Sequence, residues 1–194
     1  MARIAPRTEQ DVDRLTRLAF RSARKRVGMV PDSFAVAAHH KTIMLGQGAY
    51  EVALERSSRV PARLKELAAI KGAAMVGCEF CLDIGSHLGR EGGVTEAQLH
   101  ALPHFESSEA FAPQEKLVLE YVVAMTRTPV VVGDELFARL REHFDEGQMV
   151  ELTGLIAWEN HRARFNHALG IGAQGFSEGA ACARPEPAPD AVAA

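Results

Sequence analysis

Long apolar runs are missing from this chain. Its 194 residues contain no stretch of about 18 apolar residues, so no membrane-spanning helix is expected. Charge of one sign is missing too. The formal net charge is -3, from 22 Lys and Arg against 25 Asp and Glu, which leaves no electrostatic argument for nucleic acid as a partner. The one basic run, Arg21 to Arg26 (RSARKR), is short and reads as a solvated helix face or end. Cysteine is scarce: there are three, too few to staple a small secreted fold, and their number fits a reducing, cytoplasmic setting. The opening residues, MARIAPRTEQDVDRL, lack the apolar centre of a secretory signal. Strand-like sequence is nearly absent as well. Thr128 to Val132 (TPVVV) is the one such stretch, and an extended linker is its better reading.

Helical periodicity fills most of what remains, so the expected fold class is all-α, one helical domain over residues 1–174. Thr8 to Phe20 reads as a first helix. A second is expected from Asp32 or Ser33 to about Tyr50, with an extension to Arg56. Pro61 sits at a plausible first helical position for a helix from Ala62 to Val76. Glu79 to Arg90 follows, ended by Glu91-Gly92-Gly93. Thr95 caps a short helix that Pro103 stops. Gln114 to Arg127, Asp134 to about Phe144 and Glu146 to Leu169 complete the series. From Gly175 to Ala194 the chain is rich in Ala, Pro and Gly without an apolar period, and it is expected to be a flexible tail.

Chemistry concentrates at Cys78-Glu79-Phe80-Cys81. Two thiols three residues apart at a helix start can form and break a disulfide with little backbone movement. Such a pair does two-electron chemistry without a bound cofactor. Unpaired N–H groups at the helix N-terminus favour a thiolate there. Attack of a thiolate on a peroxide gives a sulfenic acid, which the neighbouring thiol converts to a disulfide and water. The same spacing is also half of a zinc site, but no second CxxC completes it. On the preceding helix, Glu66 shares a face with Ile70, Ala73 and Gly77. A carboxyl among small and apolar residues should have a raised pKa and suits proton transfer. Beside Lys65 and Lys71 it also reads as a solvated surface Glu.

The segment from Glu66 to His87 (ELAAIKGAAMVGCEFCLDIGSH) resembles the core of the carboxymuconolactone decarboxylase and alkylhydroperoxidase D superfamily. The pattern there is a Glu, eleven residues, Cys, two residues, Cys, then His four residues on. Glu66, Cys78 and Cys81 fit it, and Glu151 to Gly170 resembles the closing helix of many members, so the similarity spans roughly residues 30–172. The resemblance implies an alkylhydroperoxidase D-like helical fold assembled as homotrimers or homohexamers. It implies a thiol-dependent hydroperoxide reductase in which Cys81 attacks the peroxide, Cys78 resolves and Glu66 belongs to the proton relay. The implied reductant is a dithiol protein, thioredoxin-like or lipoyl-bearing.

The chain departs from the pattern at two places. Four residues past Cys81 stands Gly85, not His, and before Cys81 stands Phe80, where the peroxidase prototype also has His. His87 lies about 120° around the helix from Cys81, so the expectation is a surface or interface His paired with Asp83, with a substitute relay role as the rival. His161, three residues after Trp158, is the other relay candidate. Two alternative functions stand beside the peroxidase. One is a carboxymuconolactone decarboxylase-like lyase, whose chemistry needs positioned acids and cations rather than thiols. The other is a non-catalytic, redox-sensing helical oligomer.

Overall fold

The computed structural model describes residues 2–186, and among them every regular element is helical. The nine α-helices are α1 (Arg14–Val27), α2 (Asp32–Ala37), α3 (Lys41–Arg56), α4 (Ala62–Val76), α5 (Glu79–Glu91), α6 (Glu96–Ala101), α7 (Pro113–Thr126), α8 (Asp134–Arg141) and α9 (Glu146–Ala168). A 3-10 turn, Leu102–His104, follows α6. No helix among the described residues is long and apolar enough to cross a membrane.

Two starts differ from the sequence expectation. Helix α1 begins at Arg14 because Asp13 caps it, accepting the Leu15 and Thr16 N–H groups at 2.9 and 3.0 Å. Thr8 instead closes a local turn on Asp11. The helix then runs through the basic segment to Gly28, whose φ of 81° ends it in the left-handed region. The single helix expected from Asp32 to Arg56 is two, because the chain turns at His39-His40 and the His40 ring caps α3.

Helix α4 is the centre. Nine of its residues are buried, from Leu64 to Ala74, and α5, α7 and α9 pack around it. Small residues permit this approach. A Cβ on Gly72 would stand 3.3 Å from Glu159 Cγ on α9, and one on Gly85 would stand 3.3 Å from Ile70 Cγ1. Leu67, Ile70, Leu82, Leu99 and Leu119 form the core on one side; Val118, Val122, Leu140, Leu152 and Ile156 form it on the other.

The segment expected as a tail from Gly175 is held against α4 and α5 as far as Glu186. Its backbone amides reach Asp83, and Phe176, Ala181, Cys182 and Ala183 pack on the core, Phe176 edge-on to Phe80. The Asp83 carboxylate accepts the N–H groups of Gln174, Gly175, Phe176 and Ser177 at 2.7–3.1 Å. Ala183 donates to Ser86 Oγ, and Glu186 N–H donates to Ala74 O while its carboxylate pairs with the buried Lys71. Residues 187–194 lie outside the described residues.

Candidate active site

The thiol pair is positioned by the α4–α5 turn. Gly77, at φ 76°, ends α4 with its N–H on the carbonyls of Ala73 and Ala74. Cys78 then becomes the N-cap of α5. Its Sγ accepts the Cys81 N–H at 3.2 Å, so a sulfur takes the place that a Ser or Asp oxygen usually fills. Both thiols are free, and both are buried, at 1% exposure for Cys78 and 6% for Cys81.

Their electrostatic surroundings differ. The Cys81 thiol and N–H both point at Cys78 and hold its pKa below the ordinary thiol value, against burial. Cys81 is pushed well above that value by the hydrogen bond its thiol donates to Cys78, by burial and by the carboxylate of Glu159. Asn166 Nδ2 donates to Cys81 Sγ at 3.4 Å.

Helix α9 supplies this second half of the site. Glu159, Arg162 and Asn166 share one face at helical spacing. Glu159 is 1% exposed, and its Oε2 accepts from Arg162 Nε at 2.9 Å and from Arg162 Nη2. Its Oε1 is buried without a hydrogen bond. Arg162 Nη1 reaches both oxygens of Glu51 on α3, at 3.0 and 3.1 Å, and Trp158 Nε1 donates to Glu51 at 2.8 Å. Burial pushes the Glu159 carboxyl above the usual range, against the pull of Arg162.

The residues named from sequence are only partly gathered here. Glu66 is half-buried, with Cγ set against Gly92 at the far end of α5, and no hydrogen bond links it to either sulfur. Burial raises its carboxyl above the usual range, opposed by Arg162 and Lys65. His87 does not pair with Asp83, whose oxygens the C-terminal segment has taken; it faces Glu91 at 3.8 Å. The exposed His161 ring stacks on Trp158 with centroids 4.6 Å apart and meets Gln47 through Nε2. Neither histidine is hydrogen-bonded to a thiol. Glu159, Arg162 and Asn166 escaped the sequence reading. Their signal was a polar i, i+3, i+7 face on a helix whose neighbours Ile156 and Ala163 are core residues. Among the described residues, no group of three or more His, Cys, Asp or Glu side chains is arranged to hold a metal ion.

Comparison with known proteins bears on the family and the fold. The carboxymuconolactone decarboxylase family profile matches residues 45–124. The Escherichia coli (strain K12) protein YnjA is 41% identical over 113 residues, 58% of this chain but 62% of that protein, so the match spans less than two thirds of its length. Bacillus subtilis (strain 168) YdfG is 34% identical over 116 residues, 59% of this chain and 79% of that protein. Among solved structures, the alkylhydroperoxidase AhpD core protein of Ralstonia eutropha JMP134 superposes with a TM-score of 0.81 at 17% identity, covering 90% of this chain and 94% of the other. The debrominase Bmp8 superposes with a TM-score of 0.79 at 20% identity, covering 89% and 92%. At these identities the structural matches establish the alkylhydroperoxidase D-like fold alone.

Proposed function

This chain belongs to the carboxymuconolactone decarboxylase family, and from that premise we propose that it is a thiol-dependent hydroperoxide reductase working through Cys78 and Cys81. One observation carries the reading: two free thiols share a helix N-terminus, with the N–H of one on the sulfur of the other. In the proposed cycle a thiolate attacks the peroxide, an S–O bond forms and the O–O bond breaks. The leaving alkoxide takes a proton and departs as the alcohol. The second thiol displaces water from the sulfenic acid and closes the disulfide. An external dithiol, thioredoxin-like or lipoyl-bearing, returns the pair to its reduced form. The resemblance gives the attack to Cys81 and the resolution to Cys78. Glu66 is assigned the outer part of the proton path, because its half-buried carboxyl lies within the electrostatic reach of Glu159 and Arg162. We propose a homotrimer or homohexamer as the working form.

Peroxide consumption with a dithiol reductant tests this. Replacing either cysteine by serine should lower the rate at least about a hundredfold, since each sulfur makes a bond that the other cannot. Equal rates in wild type and Cys81→Ser sink the proposal. A second reading comes from Bmp8, a debrominase solved, in a cysteine-to-alanine form, in complex with 2,3,4-tribromopyrrole. The same dithiol can deliver two electrons to a carbon–bromine bond, giving the hydrogen-substituted ring, bromide and a disulfide. Bromide release without peroxide consumption selects it. A lyase reading leaves both thiols without a role, and carbon dioxide release from a carboxylated muconolactone by a Cys78→Ser/Cys81→Ser protein would select it.

A further inference from the structure

Cys81 stands without the imidazole that the family pattern places four residues on. Gly85 occupies that position, and a Cβ there would meet Ile70 Cγ1 at 3.3 Å. His87 faces Glu91 and His161 meets Gln47, so neither is hydrogen-bonded to a sulfur. What does reach Cys81 Sγ is an amide: Asn166 Nδ2 on α9 donates to it at 3.4 Å. Asn166 is 2% exposed. Its backbone is fixed at the end of α9, where its carbonyl accepts the Ile171 N–H at 3.0 Å and Ile171 joins the core around the cysteines. Burying an amide costs stability unless its hydrogen bonds are made well. The sulfur of a neutral thiol is a weak acceptor, and hydrogen bonds to an ionised group are much stronger. An amide held against a thiol therefore gains most when that thiol is ionised. We infer that Asn166 is a catalytic residue of the dithiol site, the N–H donor that holds the Cys81 thiolate in place of the missing histidine.

This inference rests on the two-thiol reading above and keeps the order in which Cys81 attacks and Cys78 resolves. It supplies a donor, not a base. A neutral amide takes no proton from a thiol, so the Cys81 proton leaves by another route, and Asn166 lowers the cost of the charge left behind. Several groups face Cys81 and set what the donor works against. Cys78 on the same turn, burial and Glu159 on α9 hold its pKa up, and Arg162 on α9 pulls it down. Glu51 on α3, with Glu66 and Lys65 on α4, stands behind them. The Cys78 pKa is lowered chiefly by Cys81 and, as a smaller effect, by the Asn166 amide. The hydrogen bond itself goes to Cys81, so the larger effect of losing it belongs there.

The test measures how fast a small haloacetamide alkylates Cys81 in a Cys78→Ser/Cys182→Ser protein. The pH is fixed below the thiol midpoint, where the rate follows the thiolate. Asn166→Ala should slow alkylation about tenfold, the equivalent of one unit in the midpoint. Asn166→Asp keeps the size and shape but sets an acceptor and a like charge against the sulfur. It should slow alkylation at least as much, and it serves where the Ala variant does not fold. A packing role predicts otherwise: the near-isosteric Asp would behave as Asn, and Ala, by opening the core, would speed the reaction. In a Cys81→Ser/Cys182→Ser protein the same substitutions should slow Cys78 by a smaller factor. Unchanged or faster alkylation of Cys81 in a folded Asn166→Asp protein, or a larger effect on Cys78 than on Cys81, overturns the inference. The assay uses no peroxide. A wild type that consumes none, yet shows these falls, defeats the peroxidase reading while the Asn166 donor stands.

Discussion

Two buried carboxylates flank the start of α5, and they are used in opposite ways. Asp83, 4% exposed, has both oxygens occupied by four backbone N–H groups of the C-terminal segment. Glu159, 1% exposed, has one oxygen on Arg162 and the other buried without a hydrogen bond. A carboxylate held by several fixed donors is a pin: its hydrogen bonds tie one segment of the chain to another. A half-satisfied one costs stability and keeps capacity for chemistry. The difference separates the part of this site that holds the fold from the part that acts.

The strongest way to break that contrast is to exchange the two effects. Asp83→Asn leaves four amides sharing a weaker, uncharged acceptor and should cost about 2–4 kcal/mol in urea unfolding. The segment 174–186 should then be cut readily by protease. Glu159→Gln keeps an acceptor for Arg162, which Glu51 continues to pair, so its cost should stay below about 1.5 kcal/mol. Equal losses of stability from the two substitutions would remove the distinction.

A smaller effect is expected from Gly85→His, which restores the family's residue four positions past Cys81. The space there is taken: a Cβ would already stand 3.3 Å from Ile70 Cγ1. Overpacking at the α4–α5 contact should cost about 1–3 kcal/mol. The prediction is lower stability without faster peroxide turnover, read from unfolding curves and rate assays on the same protein. A faster, equally stable variant would show that the site lacks only the imidazole.

How much of this was legible follows from where the signals lie. The helices around the thiols, Ala62–Val76 and Glu79–Glu91, carry their own start and stop chemistry in Pro61, Gly77 and Gly92-Gly93, and the sequence reading placed them within a residue. The Glu66-to-cysteine spacing pointed to the family for the same local reason. Glu159 and Asn166 were invisible because their meaning is tertiary. They lie 78 and 85 positions beyond Cys81, and only the packing of α9 on α4 and α5 brings them to it. The contacts of residues 174–186 left no pattern in composition, because the ones made to Asp83 use backbone N–H groups, which every residue type but proline carries.

The smallest expected effect is on the pH dependence of stability, and its sign distinguishes the acids. The Glu159 carboxyl titrates above the usual range in the folded protein, so between the two values the folded chain holds a proton that the unfolded chain has released. Its contribution to stability is fully present below the unfolded value and is lost as pH rises through the folded one. Glu151 runs the other way. Burial opposes its ionisation, but Lys65 with the Ser57 and Val60 contacts wins, and its pKa is lowered. Its contribution is present above the unfolded value and is lost as pH falls through the folded one. Glu159→Gln should therefore flatten the decline of stability on the rising-pH side and leave the acid limb unchanged. One proton limits the change in slope to about 1.4 kcal/mol per pH unit, and a smaller figure is expected because Arg162 opposes the shift. Urea unfolding of both proteins between about pH 4 and pH 8 reads it, a window that brackets ordinary carboxyl values and reaches past them. Parallel curves would mean that the Glu159 carboxyl is ionised as readily in the folded chain as in the unfolded one, and that burial there is offset in full by Arg162.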